Sequence, residues 1–153
     1  MGEMINVEYL KVQPAIVKRK SVKVEEIEKE LRSTFKKLHA FLKGKGVKVS
    51  GPPFARFYEI TPDEADMEAG LPVEGKVETG DNFEYKKLPK GVAAGTWHVG
   101  TRDGIKKTYE RLEKWLFKNH HKPVDIPWEV YWTDQNASGN EDQVRTQVFW
   151  PFN

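Results

Sequence analysis

The sequence predicts an α+β fold: an antiparallel sheet of duplicated β-β-α-β-β units, with two helices on one face and a central ligand groove on the other. The first observation behind this is an internal repeat. Leu38-His39-Ala40-Phe41-Leu42 is followed by a polar stretch and then Pro53-Phe54-Ala55-Arg56-Phe57-Tyr58. Leu112-Glu113-Lys114-Trp115-Leu116 is followed in the same way by Pro127-Trp128-Glu129-Val130-Tyr131-Trp132. The offset is constant, since 115 − 41 and 127 − 53 both give 74. The second observation is one helix-period apolar stripe in each copy. The third is the set of short β-like segments bounded by Gly, Pro and Asp around each stripe.

In chain order, residues Val7 to Val17 read as two β-like stretches broken at Gln13-Pro14. A helix is expected from about Val24 to Lys43. Its stripe is Ile27, Leu31, Phe35, Leu38 and Leu42, with acid-first Glu25–Lys29 and Glu28–Arg32 pairs on the outer face. Gly44 and Gly46 stop it. Gly51-Pro52-Pro53 leads into a strand from Phe54 to Ile60, the acidic stretch Thr61 to Asp66 reads as a turn, and a strand is expected near Gly70 to Val73. The second copy starts with Phe83-Glu84-Tyr85, turns at Leu88-Pro89-Lys90-Gly91 and continues as a strand from Val92 to Val99. Gly100-Thr101-Arg102-Asp103 opens a helix from about Gly104 to Asn119, with the stripe Ile105, Tyr109, Leu112 and Leu116. Strands at Trp128 to Thr133 and Val144 to Phe152 flank a polar loop at Asp134 to Asp142.

A chain of 153 residues fits one domain, residues 1–153, holding two repeats at about 7–75 and 83–153. Either half alone would be small and marginal. The formal net charge of +2 carries no bias toward nucleic acid. Cysteine is absent, which excludes disulfides, thiolate nucleophiles and cysteine-ligated metals. With no apolar run of transmembrane length and no signal-peptide order at the N-terminus, a soluble cytoplasmic protein is expected.

The two copies differ at one chemically important position. Ala55 in the first corresponds to Glu129 in the second, among bulky aromatics. Alternation along the strand places Glu129 with Tyr131, and Trp128, Val130 and Trp132 opposite. Because the second set lacks a charge, it is assigned to the helices, which leaves Glu129 on the helix-free face at the seam between copies, with Ala55 and Phe57 at the matching place on the first copy. A carboxylate there has two uses. Ionised, it attracts a desolvated cation, with aromatic rings such as Trp97, Tyr131 or Phe57 adding about 0.5–2 kcal/mol each. With its pKa raised by burial, it serves as a general acid or base. Phe149 is favoured over Trp150 as the groove-facing ring of the last strand. Tyr109 reads as a core residue whose hydroxyl needs a partner if buried.

Other candidates read as structural. His39 lies on a polar helix side, His98 at a strand end, and His120-His121 at a helix C-terminus. None has metal-ligand spacing, and no cofactor is called for. Asp134 to Gly139 imitates an EF-hand start, but its twelfth position is Arg145, so calcium is rejected. Asn136-Ala137-Ser138 is a sequon without relevance absent secretion.

Glu68-Ala69-Gly70-Leu71-Pro72-Val73, the turn and strand from Leu88-Pro89 to Val92-Ala93, His98-Val99-Gly100 and Trp128-Glu129-Val130-Tyr131, in that order and spacing, resemble the GyrI-like, or AraC-type effector-binding, small-molecule domains. The resemblance covers nearly the whole chain. It implies a duplicated fold whose groove takes apolar, often cationic, molecules between aromatic walls and one buried acid, which Glu129 matches. Lys18-Arg19-Lys20 departs from the usual alternation of the first strand and speaks against a pocket role for that edge. Some members carry helix-turn-helix segments. This sequence resembles the stand-alone class, so no direct DNA binding and no membrane association are expected.

Three functions follow as expectations. The first is a module that binds an apolar or cationic aromatic molecule for sensing or protection, using Glu129, Tyr131, Trp97, Phe57, Ala55 and Phe149. The second, implied by the resemblance, is a hydrolase of cyclopropanoid electrophiles with Glu129 and Tyr131 as catalytic groups. The third, also implied by it, is an interaction protein that modulates DNA gyrase. The oligomeric state is left open.

Overall fold

The computed structural model describes residues 4–132 and 145–153. The expected polar loop, with its EF-hand-like spacing and sequon, lies outside them, as do Thr133 and Val144. The described chain forms eight antiparallel strands and two α-helices: β1 (Asn6–Leu10), β2 (Gln13–Lys23), α1 (Ile27–Gly44), β3 (Phe54–Ile60), β4 (Glu64–Pro72), β5 (Glu84–Leu88), β6 (Gly91–Val99), α2 (Ile105–Lys118), β7 (Trp128–Tyr131) and β8 (Arg145–Pro151). The α+β class, antiparallel with two helices, is as the sequence predicts.

The chain divides into two units, Lys11–Lys90 and Met1–Leu10 with Gly91–Asn153. In the Lys11–Lys90 unit the strand order is β3-β4-β2-β5; in the other it is β7-β8-β6-β1. Each is therefore a β-α-β-β run plus one edge strand, β5 directly after β4 in the first and β1 from before the first helix in the second. β1 pairs with β6, and β5 pairs with β2. The unit boundaries thus differ from the repeat boundaries, because β1 precedes the first copy's helix yet pairs with the second copy's strand.

In the Lys11–Lys90 unit, Ile16 of β2 and Leu71 of β4 are cross-strand partners. They pack with Leu38 and Leu42 of α1 in one buried cluster, and Phe35, Phe41 and Tyr85 close over it. The predicted stripe is the one that is buried: Ile27, Leu31, Leu38 and Leu42 all point inward. A 3-10 turn, Val24–Glu26, precedes α1. The stretch expected to be a turn after Thr61 is tighter than predicted, because Thr61 Oγ1 accepts from the Glu64 amide at 2.9 Å. β4 can therefore begin at Glu64 and run nine residues. β2 is also longer than expected and runs through Lys18-Arg19-Lys20. It is an interior strand rather than an edge, but β5 pairs only as far as Val17. The basic residues beyond that point find partners: Lys18 Nζ donates to the Asn82 carbonyl, Arg19 forks onto Asp66, and Lys20 reaches Glu30 of α1.

In the other unit, Ala94 of β6 and Val148 of β8 pack with Ile105, Leu112 and Leu116 of α2, and Tyr109, Trp115 and Trp150 border the cluster. β7 pairs with β8 in the register Trp128–Phe149, Glu129–Val148, Val130–Gln147 and Tyr131–Thr146. Direct cross-strand partners share a face. This register overturns the predicted assignment of faces. Glu129 stands beside Val148 on the side covered by α2, and Trp128 stands beside Phe149 on the side away from it.

Gly70, in the middle of β4, is required by close approach. A Cβ there would lie 2.6 Å from the Phe54 ring, 2.7 Å from Val17 and 2.8 Å from the Ile16 carbonyl oxygen. The last contact is backbone and cannot rotate away. Gly70→Ala is therefore expected to cost about 1–3 kcal/mol, seen as a lower urea midpoint with an unchanged m-value.

Candidate functional site

A buried ionised group is expensive unless opposite charge and hydrogen bonds replace its water. Glu129 of β7 has no solvent exposure at all, and it meets this condition through three side chains of its own unit. Arg102 Nη1 donates to Oε1 at 2.5 Å and Nη2 to Oε2 at 3.5 Å. Tyr109 donates its hydroxyl to Oε2 at 2.5 Å, and Tyr131 donates to Oε1 at 2.7 Å. Arg102 Nη1 also approaches the Tyr131 hydroxyl at 3.5 Å. Arg102 and Tyr109 are both half-buried, and the Arg102 side chain retains 12% exposure.

Local structure explains how these groups converge. Tyr131 follows Glu129 by two residues on the same strand, so both face α2. Arg102 and Tyr109 are seven residues apart, two helical turns, and so project from the same side of the turn that opens α2. Arg102 sits in a 3-10 turn, Arg102–Gly104, entered through Gly100 at a φ of +109°, which a residue with a Cβ rarely adopts. His98 pins that turn to β6. Its Nε2 faces the Thr101 carbonyl at 2.7 Å and so carries a proton, and its Nδ1 meets the Thr108 hydroxyl of α2 at 2.9 Å. The strand-end structural role expected for His98 is therefore that of a bracket for the Arg102 turn.

The electrostatics follow from burial and mutual contact. Burial works against the charge on Arg102, but the Glu129 carboxylate outweighs it and holds the guanidinium above its ordinary pKa. Burial, then the nearby carboxylate, push both Tyr109 and Tyr131 well above the usual tyrosine value. The cluster is thus a carboxylate, a guanidinium and two neutral phenols, with net charge near zero.

The predicted site residues divide. Glu129 and Tyr131 belong to this cluster. Trp97 and Phe149 lie on the opposite face of the same unit, as the register of β6 and β8 requires (Gly95 opposite Phe149, Thr96 opposite Val148). There Trp97 meets Trp132 at 6.3 Å between centroids, and Trp128 meets Phe149 at 6.4 Å. Ala55 and Phe57 pair with Ala69 and Met67 in the Lys11–Lys90 unit. Met67, Ala69 and Leu71 lie two residues apart on β4 and share one face, so Ala55 and Phe57 lie on the α1 side with Leu71, not on a helix-free face. Placing the acid away from the helices was wrong because it assumed a helix would exclude charge; α2 instead supplies Tyr109, and the turn before it supplies Arg102. Both residues were missed as partners of Glu129. Their spacing of seven, with a cation and a hydroxyl on one helical side, was the available signal.

A second buried acid was also missed, although Glu68 is quoted in the resembling motif. Glu68 of β4 is fully buried on the face away from α1. Lys86 donates to its Oε2 at 2.6 Å, Tyr58 lies 3.4 Å from Oε2, and Arg56 Nη1 lies 3.6 Å from Oε1. A register shift between Phe57 and Glu59 makes Tyr58 the extra residue of a bulge, and Arg19 stacks on its ring at 3.6 Å. Burial works against the Lys86 charge, but Glu68 more than offsets this and raises its pKa. Among the described residues no group of three or more His, Cys, Asp or Glu side chains is placed to hold a metal. Also among them, no helix is long and apolar enough to cross a membrane.

The two buried phenols give a pH signature. The unfolded chain loses tyrosine protons near pH 10, whereas the native cluster keeps those of Tyr109 and Tyr131. Their contribution to stability is complete below that pH and is lost as pH rises through the native values. Urea unfolding is expected to show falling stability from about pH 9 to about pH 11, with a shallower fall in Tyr131→Phe. Ultraviolet titration should show two of the five tyrosines ionising late.

Comparison with known proteins places this geometry in context. Among solved structures, the EcmrR C-terminal domain aligns over 100% of this chain and 99% of its own, with a TM-score of 0.89 and 17% identity. EcmrR in a DNA complex aligns equally well, and the chain spans 57% of its length. A hydrolase from Listeria innocua aligns over 97% of this chain and 91% of its own, at a TM-score of 0.72 and 10% identity. SAV2435 bound to tetraphenylphosphonium aligns over 98% and 94%, at 0.60 and 10%. At these identities the likeness is one of fold. No curated protein sequence matches the chain. The sequence profile of the GyrI-like small molecule binding domain matches residues 3–153, nearly the full length, and the chain belongs to that family.

Proposed function

We propose that this domain binds an apolar aromatic molecule bearing a delocalised positive charge, and that Glu129 is the acid the ligand meets, for sensing or sequestering such a compound. The observation that carries the reading is the complete burial of Glu129 beside the aromatic side chains of Tyr109 and Tyr131. A weakly hydrated cation loses little by leaving water and gains both the carboxylate charge and the ring faces. Of the residues expected to touch ligand, Glu129 and Tyr131 are retained as contacts. The phosphonium bound by SAV2435 belongs to the same chemical class.

Hydrolysis is the second reading, with Glu129 taking a proton from water. It is weakened by the same geometry. A carboxylate has about four acceptor positions, and Arg102, Tyr109 and Tyr131 already direct four donor contacts at them.

Tetraphenylphosphonium and tetraphenylborate have the same shape and opposite charge, so they isolate the electrostatic contribution. Followed by tryptophan fluorescence, the phosphonium is expected to bind at least about tenfold more tightly, equivalent to 1.4 kcal/mol, and Glu129→Gln to abolish the preference. Glu129→Gln also leaves Arg102 buried without an opposite charge, at a typical cost of about 3–5 kcal/mol. The double variant Arg102→Met/Glu129→Gln removes both charges and gives the same readout in a better-balanced site. Equal binding of the two ions, or turnover of a cyclopropanoid electrophile detected by mass spectrometry, would overturn the binding reading.

A further inference from the structure

We infer that Arg102 is a tethered internal cation that occupies the charge site at Glu129 and sets which ligands can enter, because a ligand cation must displace it. The inference rests on the reading that Glu129 is the acid the ligand meets. Its own support is geometric. The guanidinium contacts both carboxylate oxygens, closely at Oε1 (2.5 Å) and at the limit of hydrogen-bond reach at Oε2 (3.5 Å), and its planar face of donors suits a carboxylate. With Arg102 in place, a second cation next to Glu129 meets a pair whose net charge is near zero, and the attraction that would draw it in is largely cancelled.

Arg102 is also the member of the cluster built to leave. Glu129 and Tyr131 are fixed on a four-residue strand paired to β8, and Tyr109 is fixed in the middle of α2. Arg102 reaches in on a long side chain from a 3-10 turn, and that side chain keeps contact with solvent. His98 holds the turn's backbone through the Thr101 carbonyl, so rotation of the side chain alone vacates the site while the fold stays intact. The two tyrosine donors remain on Glu129 after Arg102 leaves, so the carboxylate keeps two of its hydrogen bonds while it exchanges one cation for another.

The consequence for selection is quantitative. If the competent state is the one with Arg102 swung out, the apparent dissociation constant is the intrinsic one divided by the population of that state. A hydrated ammonium that only equals arginine gains nothing by entering. A delocalised cation with a large apolar body does gain, because burial of its rings adds to the exchange of charges.

The test titrates tetraphenylphosphonium into wild type, Arg102→Met, Arg102→Lys and Glu129→Gln at about pH 8, with circular dichroism checking each fold. Arg102→Met is expected to bind at least about tenfold more tightly than wild type. Methylguanidinium added to Arg102→Met should refill the vacated place and weaken phosphonium binding competitively, with no such effect on wild type. Arg102→Lys, which keeps the charge but loses the planar guanidinium, should bind more tightly than wild type and less tightly than Arg102→Met, and its gain over wild type is the readout if Arg102→Met does not fold. Arg102 variants that bind no more tightly than wild type, while Glu129→Gln still loses the phosphonium, would overturn the inference and leave the binding reading standing. Phosphonium binding that ignores Glu129→Gln would instead remove the binding reading itself.

Discussion

The structure of the Gly91–Asn153 region is organised around the need to neutralise one carboxylate that has no water. Glu129 is buried under α2, where an unpaired charge would be strongly destabilising. Each neighbouring feature answers that need. The turn before α2 is shaped by Gly100 so that Arg102 points inward. α2 places Tyr109 two turns further on, and β7 places Tyr131 on the same face as the acid. Remove the carboxylate and there is no reason for a guanidinium and two phenolic hydroxyls to converge beneath the largely apolar inner face of α2.

A buried ion pair is weak evidence for stability, because well-packed apolar residues of the same volume often serve as well or better. Its presence here therefore calls for a functional account, which the binding reading supplies. The same physics makes the site conditional: a charge already satisfied from within is available to a ligand only by exchange. The second buried acid is Glu68. It is held by Arg56, its cross-strand partner on β3, and by Lys86, which reaches across from β5 on the face away from α1, with Tyr58 stacked beneath Arg19.

Membership of the GyrI-like family rests on a match across nearly the whole chain, and the fold is shared with the EcmrR C-terminal domain and SAV2435. Fold alone does not assign a ligand. In this chain the chemistry centres on Glu129, where arginine and two tyrosines crowd a single carboxylate.

Much of the architecture was legible in the sequence because it rests on local periodicity. The α1 and α2 stripes, the strand at Phe54–Ile60, the turn at Leu88–Gly91 and the singular acid at Glu129 all follow from residue spacing that nearby backbone geometry enforces. Tertiary structure alone decided two things. One was strand partnership: β1 pairs with β6 and β5 with β2, hydrogen bonds between segments up to about ninety residues apart that no local pattern encodes. The other was which face of β7 lies under α2, because alternation says only that Glu129 and Trp128 point opposite ways. The register with β8 and the donors offered by Arg102 and Tyr109 decided between them, since a charge goes to the interior wherever its partners are.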